Sequence, residues 1–327
     1  MDREQELQFL GFFGIFKESF KIISSWRKIF GQITLALVIP LSALSLAHIV
    51  ISDLLFSNVT NDIGNRLVGN TQGSTDVNSS KVATFLLFEA AYFISLLILS
   101  LLATAAVVYT IACIYTAKEI TFKKVMSAVP RVWKRLAVTF LWSFAVAFVY
   151  NVVAGVILFL WARFLGGTGV GLILIVILAV AYLIGIVYIT IVWDLASVVS
   201  VLEEVYGIKS MMKSRALIKG KMGVAVAFLI LLSICIAGIE FVFEAFVVND
   251  EFLSLGIRIV VGILCCLLLF MLVLFGLVVQ TVIYFVCKSY HHESIDRPSL
   301  TAHLEAYLGN YVHLNPAKDV QLSEPPV

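Results

Sequence analysis

The sequence predicts an all-α integral membrane fold with six transmembrane helices in three hairpin-like units, each preceded by a basic amphipathic interfacial helix. Three observations carry this expectation. Of 327 residues, 61 % are hydrophobic and 13 % charged, against roughly 45–50 % apolar and 25 % charged in soluble domains; mean hydropathy is +1.02. The apolar residues gather into six runs, each long enough for the about 20 residues that a bilayer crossing takes. The Lys and Arg residues fall almost entirely between alternate runs.

The first segment, 1–30, opens on charged residues, MDREQELQ. The apolar stretch after it holds two glycines and soon meets Lys17 and Glu18, which predicts an interfacial helix rather than a cleaved signal. Phe9, Phe12, Phe13, Phe16 and Phe20 would sink into the headgroup boundary. Trp26, ahead of Arg27 and Lys28, suits that boundary because its ring is apolar and its N–H polar.

The membrane domain, 31–287, places spans at approximately 31–52, 82–115, 136–161, 170–199, 223–248 and 256–287. Lipid admits only helices or closed barrels, and uninterrupted runs of this length mean helices. The second, fourth and sixth runs exceed a bilayer crossing, so they tilt or continue beyond it. Pro40 predicts a kink in the first span, because it removes a backbone donor.

Between spans one and two, residues 53–81 are polar and carry two glycosylation sequons, at Asn58 and Asn78. Before span three lies TFKKVMSAVPRVWKRLAV, whose Trp133-Lys134-Arg135 parallels Trp26-Arg27-Lys28. Before span five, SVLEEVYGIKSMMKSRALIKGKMG puts Lys219-Gly220-Lys221 in the same place. The three units share one orientation, as in a parallel repeat. In the tail, 288–327, SLTAHLEAYLGNYV reads as a short amphipathic helix able to engage a cytosolic protein partner, and the final residues as unstructured.

Nineteen of the 23 Lys and Arg residues lie on one side, with Arg66, Lys81, Arg163 and Arg258 on the other. The positive-inside rule then puts both termini in the cytosol, in the plasma membrane or an endomembrane, with the sequons on the opposite side. The basic residues flank apolar runs, so they point to membrane lipids as partners and away from nucleic acid. Arg27, Lys28, Lys134, Arg135, Lys219 and Lys221 are the candidate headgroup contacts, each worth about 1 kcal/mol near an anionic surface.

Ionisable residues inside spans are costly and mark candidate sites. Glu89 lies roughly 10 Å below the external surface at 1.5 Å rise per residue. Glu240, Glu244 and His48 belong to the same leaflet, and the two glutamates, four apart, share a helix face. Convergence would make a proton, cation or headgroup site; dispersal would make them interhelical glue. Asn151 is a candidate interhelical hydrogen bonder, and Asp194 a structural pin for a loop lysine.

No metalloprotease, phosphate-loop or nucleophile-elbow motif occurs, so no catalysis and no cofactor are expected. His291 and His292 read as a solvated tail rather than a metal site. The five cysteines fall within or at the ends of apolar runs and read as small hydrophobes without disulfide spacing. Cys287, beside Lys288, sits where a palmitoyl acceptor would.

Glu203, Gly207, Ser214, Leu217, Lys219 and Gly220 resemble the signature of a bacterial membrane domain sometimes attached to glycerophosphodiester phosphodiesterases, with Met222 where that domain has an aromatic residue. The tail CKSYHHESIDRPSLTAHLEAYLGNYVHL is similar to that of a plant family of uncharacterised six-span proteins. The first resemblance implies no catalysis, since the phosphodiesterase activity belongs to a separate soluble domain. The expected function is membrane organisation or an adaptor role, with basic helices on anionic lipid. The alternative is a transporter of a small solute, ion or lipid using Glu89, Glu240, Glu244 and His48. A transporter needs those groups around one cavity; a scaffold does not.

Overall fold

A computed structural model describes residues 8–68, 75–116, 120–164, 169–249 and 254–291, with the side chains of 56–68, 75–81 and 170 outside the described set. Every element among the described residues is helical. In chain order these are α1 (Phe12–Ser25), α2 (Arg27–Ile33), α3 (Ile39–Val68), α4 (Thr75–Tyr115), α5 (Phe122–Phe164), α6 (Gly169–Leu202), α7 (Ile208–Leu217), α8 (Met222–Phe243) and α9 (Leu255–Tyr290). Six helical stretches are long and apolar enough to cross a membrane: Arg27–Leu55, Val82–Tyr115, Phe122–Phe164, Gly171–Leu202, Met222–Val248 and Leu255–Tyr290. The chain is an integral, multi-pass membrane protein.

Local chemistry sets the breaks. Trp26 leaves helical geometry at φ −116°, ψ 37°, which separates α1 from α2. A π-helical turn, Thr34–Val38, joins α2 to α3, and the Ile39 N–H closes it by reaching back to the Thr34 carbonyl. Pro40 follows at once: it has no N–H to give the carbonyl four residues back, so the ladder is already disturbed there. The kink expected at Pro40 thus takes the form of a widened turn just before it. A second π-helical turn, Glu244–Val248, extends α8 and ends with the Asn249 N–H on the Glu244 carbonyl at 2.9 Å.

The three-unit expectation needs one correction. The basic stretch before the third span is no separate interfacial helix but the first turns of α5. Its buried positions, from Val125 through Val129, Val132 and Leu136 to Thr139 and Ser143, follow a single helical stripe that continues past Pro130. α5 is therefore the longest helix among the described residues, 43 residues or about 65 Å at 1.5 Å per residue.

Packing is concentrated at one end. Both described ends of the chain, the start of α5 and all of α7 meet there, and this basic end holds most of the core: Ile15 and Ile22 of α1, Val107 and Ile111 of α4, Val198 and Val199 of α6, Val282 and Tyr284 of α9. Towards the opposite end α5 and α6 expose Phe148, Val152, Phe159, Leu172 and Ile184, as helices facing lipid do. A smaller cluster of Leu46, Phe243, Cys265 and Leu269 holds α3, α8 and α9 together farther along. Cys287 is fully buried at 0 % exposure, which removes it as an accessible acyl acceptor.

Candidate functional site

Of the four candidate intramembrane residues, the fold joins two directly. His48 on α3 and Glu89 on α4 meet with the ring Nε2 at 3.1 and 3.0 Å from the two carboxylate oxygens. Ser52, one turn beyond His48, donates its hydroxyl to Glu89 Oε1 at 3.1 Å. The His48 ring stacks on Tyr92 with centroids 3.7 Å apart, and lies parallel to Phe88 at 5.9 Å. Tyr92 lies within electrostatic range of Glu240 and Glu89. Glu240 thus belongs to the neighbourhood without touching the pair. Glu244, inside the π-helical turn, is exposed.

That arrangement is a histidine–carboxylate contact packed between two helices, with an aromatic wall on His48. Chemically it can hold or exchange a proton, and it ties α3 to α4. Neither of the two described cavities is lined by any of the four residues. Glu89→Ala is expected to lower the thermal stability of the purified protein more than Glu244→Ala, because only the first strands a histidine and a serine. Equal midpoints for the two variants would show that the pair contributes nothing.

Asn151 does bridge helices: Tyr182 donates to its Oδ1 at 2.9 Å, and Tyr150 donates to the Tyr182 carbonyl at 3.0 Å. These residues line a cavity of about 530 Å³ between α5 and α6. Asp194 has no lysine partner among the described ion pairs. Asn58 and Asn78 fall in α3 and α4, but their side chains lie outside the described residues, as do His292 and the tail helix.

The basic end carries a junction that the sequence did not announce. Glu203, just past α6, accepts the Lys213 ammonium on Oε2 at 2.6 Å and the Tyr284 hydroxyl on Oε1 at 2.7 Å, with Lys288 at 3.3 Å. Burial alone would raise this carboxyl, but the Lys213 and Tyr284 hydrogen bonds and the Lys288 charge outweigh it and hold the group below its ordinary value. The backbone N–H of Gly207, at φ +67°, donates to Thr139 Oγ1 of α5 at 2.8 Å. Ser214 of α7 donates to the Val192 carbonyl of α6 at 2.8 Å. His291 Nε2 lies 3.0 Å from both the Leu217 and Lys219 carbonyls; both are acceptors, so that nitrogen carries the proton. His291 is a clasp rather than part of a solvated tail.

These contacts explain α7. Its buried side is Ser210, Ser214 and Leu217, while Ile208 and Met212 face outward beside Lys209 and Arg215. Small hydroxylated residues let it sit close against α6, which leaves its larger apolar groups on the outer surface. Of the six candidate headgroup contacts, Arg27, Lys28, Lys134 and Lys219 are exposed and Arg135 is half-buried. Lys221 turns inward, donating to the Leu10 carbonyl at 3.4 Å and lying 5.3 Å above the Tyr290 ring.

A family model described as a domain of unknown function, DUF8558, matches residues 1–325. The chain belongs to the DUF8558 family. No curated protein and no solved structure matches it. In this DUF8558 chain all six residues of the resemblance at 203–220 lie in or beside the junction: Glu203 centres it, Gly207 and Gly220 take positive φ, Ser214 and Leu217 are buried, and Lys219 supplies a carbonyl. The motif is a joint between helices. Its signal was the pair of glycines around a serine-bearing helix; its partners Tyr284, Lys288 and His291 had none.

Proposed function

We propose that the protein is a non-catalytic membrane organiser or adaptor, whose basic end faces the cytosol and rests on anionic headgroups. The observation that carries this reading is the three-sided N-terminal helix. Ile15, Ser19 and Ile22 of α1 dock on the bundle. Phe13, Phe16 and Phe20 of α1, spaced three and four residues apart, are left outward, as is Phe9 just ahead of the helix; Phe9 and Phe13 are 81 % and 84 % exposed. Lys17 and Lys21 stand exposed beside that stripe. Phe16 touches Phe275 of α9, one turn from the exposed Met271, so the aromatic stripe continues the lipid-facing surface of α9. An apolar stripe bordered by lysines is the pattern of a helix lying in a headgroup layer.

Exposed Arg27, Lys28, Lys134, Lys209, Arg215 and Lys219 extend the same charge around the basic end. The resemblance at 200–223 to a membrane domain without its own catalysis supports the same reading, and the tail, 288–327, is the proposed handle for a cytosolic partner. The transporter reading draws only on His48 and Glu89, since Glu240 stands apart and Glu244 is exposed.

The test is lipid retention by the full-length protein in native mass spectrometry, after reconstitution in phosphatidylcholine with phosphatidylserine. Wild type should retain phosphatidylserine preferentially, and Lys17→Gln/Lys21→Gln/Lys28→Gln should lose that preference. Equal retention of both lipids by wild type would overturn the reading. Orientation is checked by a glycosidase-sensitive mass shift in a eukaryotic host that disappears in Asn58→Gln; protease access to residue 20 from the lumenal side would reverse it.

A further inference from the structure

A second cavity, of about 280 Å³, lies between α6, α8 and α9. Phe228, Leu232 and Ile236 of α8 and Val273 and Leu277 of α9 form its apolar wall. Its polar lining is Ser233, Gln280 and one charged residue, Asp194. The Gln280 amide is already committed: its Nε2 donates to the Asp194 main-chain carbonyl and, at 2.7 Å, to Ser197 Oγ. Ser197 and Gln280 both bond the Asp194 main-chain carbonyl, and among the described residues no hydrogen bond or ion pair engages its carboxylate. Three cations of this end that turn inward face other groups, Lys213 and Lys288 facing Glu203 and Lys221 facing Leu10 and Tyr290.

We propose that this cavity binds a single-chain amphiphile with a primary-ammonium head, with Asp194 as its counter-ion and the alkyl chain along α8 and α9. The physical case has three parts. A carboxylate at membrane depth is costly unless it meets an opposite charge, and none of the ion pairs among the described residues supplies one. A hard metal cation wants six to eight oxygen ligands for calcium and an octahedral set for magnesium; this cavity offers one carboxylate, and no group of three metal-binding side chains occurs among the described residues. The volume is near the lower bound of about 300 Å³ for small-molecule sites, which suits one short chain. The acid rejects anionic lipid, so this site differs in charge preference from the basic collar and does not depend on it.

The test uses the full-length protein in nanodiscs and three probes of equal length: dodecylamine, dodecanol and dodecanoate. Wild type should show one saturable dodecylamine site, favoured over dodecanol on the order of tenfold or more, with dodecanoate weakest. Asp194→Asn keeps the shape and removes the charge, so the amine and the alcohol should bind alike. Gly276→Leu, on the apolar wall where an added Cβ would make only an ordinary 3.4 Å contact with Leu232, should weaken amine and alcohol together. Equal binding of amine and alcohol by wild type overturns the proposal, as does an amine preference that survives Asp194→Asn. Absence of any saturable amine site also overturns it and means that a proton alone neutralises Asp194. The wild-type comparison decides the question even where a variant fails to fold.

Discussion

Glu203→Ala is expected to destabilise the protein by about 3 kcal/mol, the scale for removing one partner of a buried ion pair. For a chain of this size that is a drop on the order of 5 °C in the unfolding midpoint. The effect is large because three groups converge on one carboxylate: Lys213 from α7, Tyr284 and Lys288 from α9. Its side chain is only 11 % exposed, so water cannot replace those contacts. Alanine removes the acceptor that two ammonium groups and a hydroxyl share at a three-helix junction. Thermal unfolding in detergent, followed by size-exclusion fluorescence, measures it; a midpoint within a degree of wild type would mean that the junction is decorative.

The same carboxylate makes stability depend on pH with a definite sign. Its folded-state value is depressed, so its contribution is complete above the ordinary glutamate value of about 4.3 and fades as pH falls through the folded-state value. The midpoint difference between wild type and Glu203→Gln should therefore be widest at neutral pH and narrow in acid.

Gly207→Val should cost about 2 kcal/mol or more, for a reason independent of charge. At φ +67° a β-branched residue is strained wherever it points, and here a Cβ would come 3.2 Å from Trp142 Cδ1 and 3.6 Å from Val138. The residue cannot simply rotate away, because its N–H is held by Thr139. Gly155→Ala is the control: its Cβ would meet nothing within 4 Å, and it sits in a helix, where alanine is the better former. If both variants unfold together, the positive φ of Gly207 is not what fixes the turn.

The six spans were legible because periodicity and length are local properties that survive in a single sequence. Helix ends were less so: the buried stripe of α5 runs on through residues 122–135, yet their charge and Pro130 invite a break. His48 and Glu89 were legible as members of one leaflet but not as a pair, since pairing depends on how α3 and α4 are rotated. The junction was the least visible. Tyr284 and Lys288 lie 81 and 85 residues from Glu203, and no spacing rule connects them. Even the basic segment 200–223 hid its own geometry, because α7 docks by Ser210 and Ser214 together with Leu217, while Ile208 and Met212 stay outside.

The uneven packing has a consequence for handling and for biology. Where α5 and α6 run towards the end remote from the junction, their side chains find few protein neighbours, so acyl chains are what complete their surroundings. For that half of the molecule the bilayer acts as a building material. Stripping lipid should let the remote hairpin fray on the timescale of amide exchange while the junction end stays closed, and refilling the annulus should restore it.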